Sequence, residues 1–270
     1  MAAYNDLSAM NFVNVNVHLH TPYSFSAFSD IDDALDRAVA ENVKVVGIND
    51  FYTTEGYEEW ADGCRKRGLY PLFGIEFISL NEEDQKAGLR VNDPGNPGRT
   101  YVSGKGLACP FRLTEPFASQ LADVRTKANK QVEAMCEKLN GILTGKNAGF
   151  ILDIDWIKDN LTKGSVRERH LAKALRLKVY ENCSGNPTSI KNLLKEIFDG
   201  KELKSTTENL AGVENEIRAN LLKSGGLAFV PETAEAFLPM QTVCKIILEA
   251  GGIPTYPFLA DDAQGNYTDF

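Results

Sequence analysis

The sequence predicts an α/β protein built on a parallel sheet or barrel, and three observations carry that expectation. Residues 13–20, VNVNVHLH, alternate apolar and polar side chains with a period of two, the pattern of a β-strand. A strand–helix–strand–helix–strand rhythm then fills residues 13–80, as βαβ units do. With 270 residues, 43% of them hydrophobic, the chain can bury one large α/β core or two smaller ones.

The elements follow in order. Ser29 and Asp30 offer capping side chains before Ile31, Ala34, Leu35, Ala38 and Val39, whose helical spacing predicts an amphipathic helix over 30–42. Val43 to Asn49, VKVVGIN, is a short β-branched run and reads as a buried strand of a parallel sheet. A loop and second helix follow in TTEGYEEWADGCRKRG, and Tyr70 to Leu80 forms a third strand that contains Glu76. Residues 81–112 are rich in Gly, Pro, Asn and Asp and break the rhythm, reading as a long loop with a short strand at Arg99–Ser103. This loop is either functional, with Arg90, Arg99 and Lys105 as phosphate contacts, or a solvated excursion. From Glu115 to about Gly145 an apolar stripe of Leu121, Val124, Ala128, Val132 and Met135 predicts a core-facing helix. Residues 150–161 open with an apolar run that fits a strand or a helix. Arg167 to Leu175 starts a further helix after TKGS, and residues 180–224 read as polar and mostly helical. Ala228 to Pro231 looks extended, Leu238 to Ala250 is a helix closed by Gly251-Gly252, and Ile253 to Phe258 is the next strand candidate.

Composition excludes several classes of function. A net charge of −8 repels a phosphate backbone, so bulk nucleic-acid binding is not expected, although a small phosphorylated molecule remains compatible. No apolar run approaches the ~20 residues of a membrane span. The five cysteines are odd in number, scattered and never in CxxC spacing, which favours reduced thiols over disulfides or a thiolate zinc site. With no secretion-signal plan in MAAYNDLSAMNF, a cytoplasmic protein is expected. Oligomeric state is not legible.

The chemistry concentrates in the first strand. Residues two apart in a strand share a face, so His18 and His20 stand side by side there. Two adjacent imidazoles suit a metal ion, the alternative being a solvated polar strand face. Only one histidine, His170, lies elsewhere, and alone it fits a surface or core position better than a ligand. His20, Asp50 and Glu76 fall near strand ends, where α/β barrels carry their chemistry.

Five segments, taken in order, resemble the PHP (polymerase and histidinol phosphatase) family of metal-dependent phosphoesterases. His18-Leu19-His20-Thr21-Pro22-Tyr23-Ser24 is similar to its H-x-H motif followed by Thr or Ser and a serine. Asn49-Asp50-Phe51 ahead of Thr53-Thr54-Glu55-Gly56 resembles its aspartate–histidine pair before T-x-x-G, and Gly74-Ile75-Glu76 its G-x-E. RERHLAKAL, Arg167 to Leu175, resembles R-x-H-[IL]-A-x-A-L, and Ala250-Gly251-Gly252 through Phe258 its AGG–strand–HP segment. The resemblance covers 13–76, 164–177 and 225–258 and leaves the stretches between unmatched.

The resemblance implies a distorted (βα)7 TIM-like barrel of the PHP type over 13–270, with a mainly helical insertion around 110–225. It also implies metal ligation by His18, His20, Glu76 and His170, with Glu76 bridging. Phe51 and Phe258 stand where the family has ligand histidines, and Ala27 where it has an acidic or histidine ligand; Tyr101 falls near another ligand position. A phenyl ring offers no lone pair, so one or two divalent ions (Zn, Mn or Fe) are expected rather than three. The activity implied is hydrolysis of a small phosphorylated substrate by metal-activated water. Asp50, His170 and Arg169 are the catalytic candidates, with Arg99 and Arg167 (Arg169 also) as phosphate contacts; His170 stays open between ligand and general acid. The alternatives are a catalytically degenerate PHP domain that binds a ligand or partner, an amidohydrolase-type enzyme, and a purely structural metal domain.

Overall fold

The alternating stretch forms strand β1 (Asn14–Leu19) in a computed structural model that describes residues 13–93 and 96–257. Helix α1 (Ile31–Ala40) starts at Asp30, whose carboxylate accepts from the Asp33 N–H at 2.7 Å, and buries Ile31, Ala34, Leu35 and Ala38. Strand β2 (Val43–Phe51), helix α2 (Tyr57–Arg67) and strand β3 (Tyr70–Leu80) complete the expected rhythm. Gly68 ends α2 with a φ of 65°, a left-handed cap that glycine adopts without strain. Helix α3 (Glu82–Ala87) lies within the anticipated loop, capped by Asn81, and leads into strand β4 (Arg99–Lys105).

The middle of the chain is helical: α4 (Phe117–Gly145), α5 (Ile154–Leu161), α6 (Glu168–Asn182), α7 (Pro187–Ile197) and α8 (Leu210–Ile217), the last running into a π-turn at Arg218–Leu222. The ambiguous run at 150–161 resolves as helix because Asp153 caps it, accepting from Asp155 N at 2.9 Å and Trp156 N at 3.1 Å. The stretch Ala228–Val230 is not extended: the Ala228 N–H bonds back to Leu221 O at 2.8 Å and closes a turn. Helix α9 (Met240–Glu249) and the short strand β5 (Ile253–Thr255) follow.

The strands form one five-stranded sheet in the order β1-β2-β3-β4-β5. β1, β2 and β3 are parallel, while β4 runs antiparallel to β3 and β5 antiparallel to β4. The expected closed (βα)7 barrel is therefore corrected to a mixed, open sheet among the described residues. The reason is local. Between β3 and β4 the chain turns back through α3 and a clasp of Asn81 N to Gly98 O and Gly98 N to Leu89 O, both 2.8 Å, instead of crossing over through a long helix. Residues 106–252 then supply helices and no strand that pairs with β1. As an edge strand, β1 leaves Val13, Val15 and Val17 exposed, whereas β2 and β3 are buried over their second halves.

Two clusters of buried apolar side chains hold these layers. One packs the sheet with α1, α2 and α9 around Ile31, Leu35, Trp60, Phe77 and Ile247. The other joins α4 to α8 around Leu139, Leu143, Ile157, Leu171, Leu194 and Ile217. Two glycines permit close approaches in the sheet. A Cβ on Gly47 would sit 2.7 Å from Val17 O, and one on Gly74 would sit 2.8 Å from both Asn49 Oδ1 and Gly104 O. The second space is the one the Asn49 side chain uses to reach the candidate site.

Candidate metal centre

Parallel pairing of β1, β2 and β3 brings His18, at the end of β1, and His20, just beyond it, over Glu76 in β3. Their Nε2 atoms lie 3.3 Å and 3.1 Å from the same oxygen, Glu76 Oε2. Burial would raise the Glu76 pKa, yet the two imidazoles beside it bring it below its ordinary value. Behind this trio, Asn49 Nδ2 lies 3.0 Å from His18 Nε2 and donates to Ser103 Oγ at 3.1 Å. Lys105 Nζ fixes the amide's orientation by donating to Asn49 Oδ1 at 2.7 Å, and to Val17 O at 2.8 Å. Burial pushes the Lys105 pKa down to about 8, with Glu76 opposing. Lys105, expected as a phosphate contact, thus supports the site from behind.

A cavity of about 440 Å³ opens in front of the trio, walled by Phe25, Phe51, Tyr101, Arg167, Arg169 and Arg218 among others. His20 packs there beside both Phe25 (centroids 4.6 Å apart) and Phe51 (5.0 Å, 7° between planes), and the two phenyl centroids lie 5.7 Å from each other. Arg169 stacks on Phe25 at 4.8 Å and Arg167 on Phe51 at 5.1 Å. Arg218 enters from the π-turn and is held by Glu168 at 2.7 Å. Burial lowers the Arg169 pKa, and Arg218 and Arg167 lower it further. Three guanidiniums crowded into one partly buried wall make a receptor for an oxyanion. Nothing in the sequence singles out Arg218, which reaches the site only through the packing of α8 against α6. Tyr101 borders the cavity as a neutral phenol, its pKa raised by burial.

The other expected residues lie apart from this wall. Asp50 is fully buried, and its carboxylate accepts from Thr21 N (2.7 Å), Thr21 Oγ1 (2.5 Å) and Ser24 Oγ (2.6 Å). It anchors the turn after His20 and does not line the cavity. His170, expected as a fourth ligand, is not grouped with His18, His20 and Glu76 among the described residues: its Nδ1 accepts from the Arg167 N–H at 2.9 Å, capping α6. Burial holds its pKa down at about 4. Arg99, expected as a phosphate contact, does not line this cavity; its guanidinium pairs with Glu232 and stacks on Phe237 at 4.8 Å. Phe258 lies outside the described residues.

Residues 16–108 match the family model of the PHP domain. The matched stretch spans β1 to β4 and so holds His18, His20 and Glu76. No curated protein matches the chain. Its fold is similar to a crystal structure of a candidate metal-dependent phosphoesterase from Bifidobacterium adolescentis, with a TM-score of 0.60 and 16% identity. It is also similar to an amidohydrolase from Chromobacterium violaceum, solved with bound sulfate and no metal, with a TM-score of 0.54 and 16% identity. Each comparison covers 90% of this chain, which spans 66% of the length of either neighbour.

The residues present fit the divalent ion that the PHP domain implies. The candidate ligand atoms of His18, His20 and Glu76 all lie within 4.8 Å of one another. Two imidazoles and a carboxylate form a donor set suited to zinc, manganese or iron. His20 Nδ1 is buried without a hydrogen-bond partner, so protein groups alone do not satisfy this ring. No helix among the described residues is long and apolar enough to cross a membrane.

Proposed function

We propose that this PHP domain is a metal-dependent hydrolase of a small phosphate ester, with one divalent ion held by His18, His20 and Glu76. The observation that carries the reading is the meeting of two imidazole nitrogens at one buried carboxylate oxygen, directly beside a wall of three arginines. A bound ion supplies Lewis acidity, polarising a phosphoryl oxygen and making water acidic enough to attack near neutral pH. Arg167, Arg169 and Arg218 would receive the phosphoryl oxygens through forked N–H donors and neutralise charge that grows in the transition state. Glu168 keeps Arg218 aimed at the cavity and, with its own pKa lowered by Arg167 and Arg218 against burial, stays an acceptor. Phe25, Phe51 and Tyr101 line the cavity and lower the polarity around these charges, which would strengthen their interactions.

Turnover of a panel of phosphomonoesters and phosphodiesters tests the reading. It predicts hydrolysis that is lost in chelator, restored by divalent ion, and lost in His20→Ala; cleavage of amides but not phosphoesters would favour the amidohydrolase alternative. A second reading is favoured by the placement of Asp50 and His170, whose carboxylate and Nδ1 accept structural hydrogen bonds and neither of which lines the cavity. On that reading the domain binds a phosphorylated ligand without turning it over. Phosphate binding without hydrolysis of any ester in the metal-loaded protein would select it.

A further inference from the structure

Three rings, His20, Phe25 and Phe51, cluster along one side of the cavity, with Arg169 over Phe25 and Arg167 over Phe51. The imidazole lies within 5.0 Å of both phenyl rings, which are themselves 5.7 Å apart. Each phenyl carries a guanidinium, Arg169 4.8 Å from the Phe25 centroid and Arg167 5.1 Å from that of Phe51. Phe51 is the better aligned of the two rings, at 7° to the His20 plane against 24° for Phe25. It is itself wedged by Tyr52 and Tyr101, each 6.0 Å away at a steep angle. Its partner across the strands is Glu76, the carboxylate that faces His20. Arg167 sits on this ring while the neighbouring Glu168 carboxylate is engaged by Arg218.

We propose that Phe51 is a positioning residue that sets two groups at once: the plane of the His20 ring toward Glu76, and the guanidinium of Arg167 over the cavity. A long arginine without such a platform would sample many rotamers and lose entropy on meeting an anion; a flat aromatic face removes part of that loss beforehand. An imidazole free to turn about its χ2 would likewise lose the alignment that brings Nε2 to Glu76 Oε2. The single side chain therefore couples ligand geometry to anion affinity. The inference rests on the anion-binding reading of the arginines and is independent of whether the bound ester is hydrolysed.

The experiment is calorimetric titration of inorganic phosphate into the full chain kept in chelator, for wild type, Phe51→Leu, Phe51→Tyr, Arg167→Met and the Phe51→Leu/Arg167→Met double variant. Phe51→Leu should weaken phosphate binding about tenfold, and Phe51→Tyr, which keeps the aromatic face, should restore it. In the Arg167→Met background Phe51→Leu should change affinity by less than about twofold, since the two act through one contact. Zinc affinity, titrated separately, should fall with Phe51→Leu and stay unchanged with Arg167→Met. Losses that multiply in the double variant, or wild-type zinc affinity in Phe51→Leu, would overturn the role of Phe51. A wild type that binds no phosphate would instead overturn the anion-binding reading beneath it. Phe51 is buried, so thermal unfolding is recorded for each variant; if leucine unfolds the chain, Phe51→Met conserves volume and takes its place under the same criteria.

Discussion

Asp50→Leu should destabilise the chain by about 3–5 kcal/mol, whereas Asp50→Asn should stay within about 1 kcal/mol of wild type. The magnitude follows from what the carboxylate holds. Thr21 N, Thr21 Oγ1 and Ser24 Oγ all donate to it within 2.7 Å, and Thr21 and Ser24 are themselves buried. Leucine would leave one amide and two hydroxyls without acceptors, each costing about 1–3 kcal/mol, less what the hydroxyls recover by rotating. Asparagine keeps one oxygen for Thr21 N and Ser24 Oγ, and its NH2 can donate to Thr21 Oγ1. It also removes a charge whose burial raises the Asp50 pKa. Urea denaturation at equilibrium, followed by circular dichroism, measures both variants on a common slope. Any turnover should persist in Asp50→Asn within about tenfold, because an anchor can be replaced by its amide and a general base cannot. A leucine variant within about 1 kcal/mol of wild type would refute the anchoring role. A loss of about a thousandfold in turnover with stability intact would return Asp50 to the chemistry.

Further outcomes follow from the other displaced residues. His170 is held neutral in the fold with a pKa of about 4, below the ~6.5 of an unfolded chain, so the unfolded state takes up a proton first on acidification. Stability from this group is complete above about pH 6.5 and is lost as pH falls toward 4, by up to about 3 kcal/mol; His170→Gln, which keeps a capping acceptor, should flatten that part of a urea-midpoint profile against pH. An unchanged profile would show that His170 is not buried as a neutral ring. Arg99→Met should leave phosphate affinity within twofold and lower stability by about 1–2 kcal/mol, because it breaks the Glu232 pair and the contact with Phe237. A tenfold loss of phosphate affinity in that variant would restore Arg99 to the cavity.

The first 80 residues were the most legible part of the chain, because each element there announces itself by period or by cap. The strand period alone puts His18 and His20 together, and β-strand direction brings Glu76 to the same end, which is where the structure has them meet. The direction of β4 was not legible: a short strand at Arg99 is visible in composition, but its antiparallel sense depends on hydrogen bonds between Asn81, Leu89 and Gly98 that leave no periodic trace. Nor could sheet closure be read, since it requires strands that the helical stretch from α4 to α8 does not provide. His170 drew attention as one of three histidines in a motif-like context, yet a histidine three residues into a helix can serve as a cap acceptor, as it does here. Arg218 carried no signal at all, because its place at the cavity is created by tertiary packing alone.

Metal content per chain, measured by plasma mass spectrometry on untagged protein prepared without chelator, tests the candidate centre most directly. The account predicts one equivalent of zinc, manganese or iron, lost in His18→Ala and in Glu76→Gln and unchanged in His170→Gln. No bound metal after incubation with each of the three ions, or retention of metal in Glu76→Gln together with its loss in His170→Gln, would contradict it.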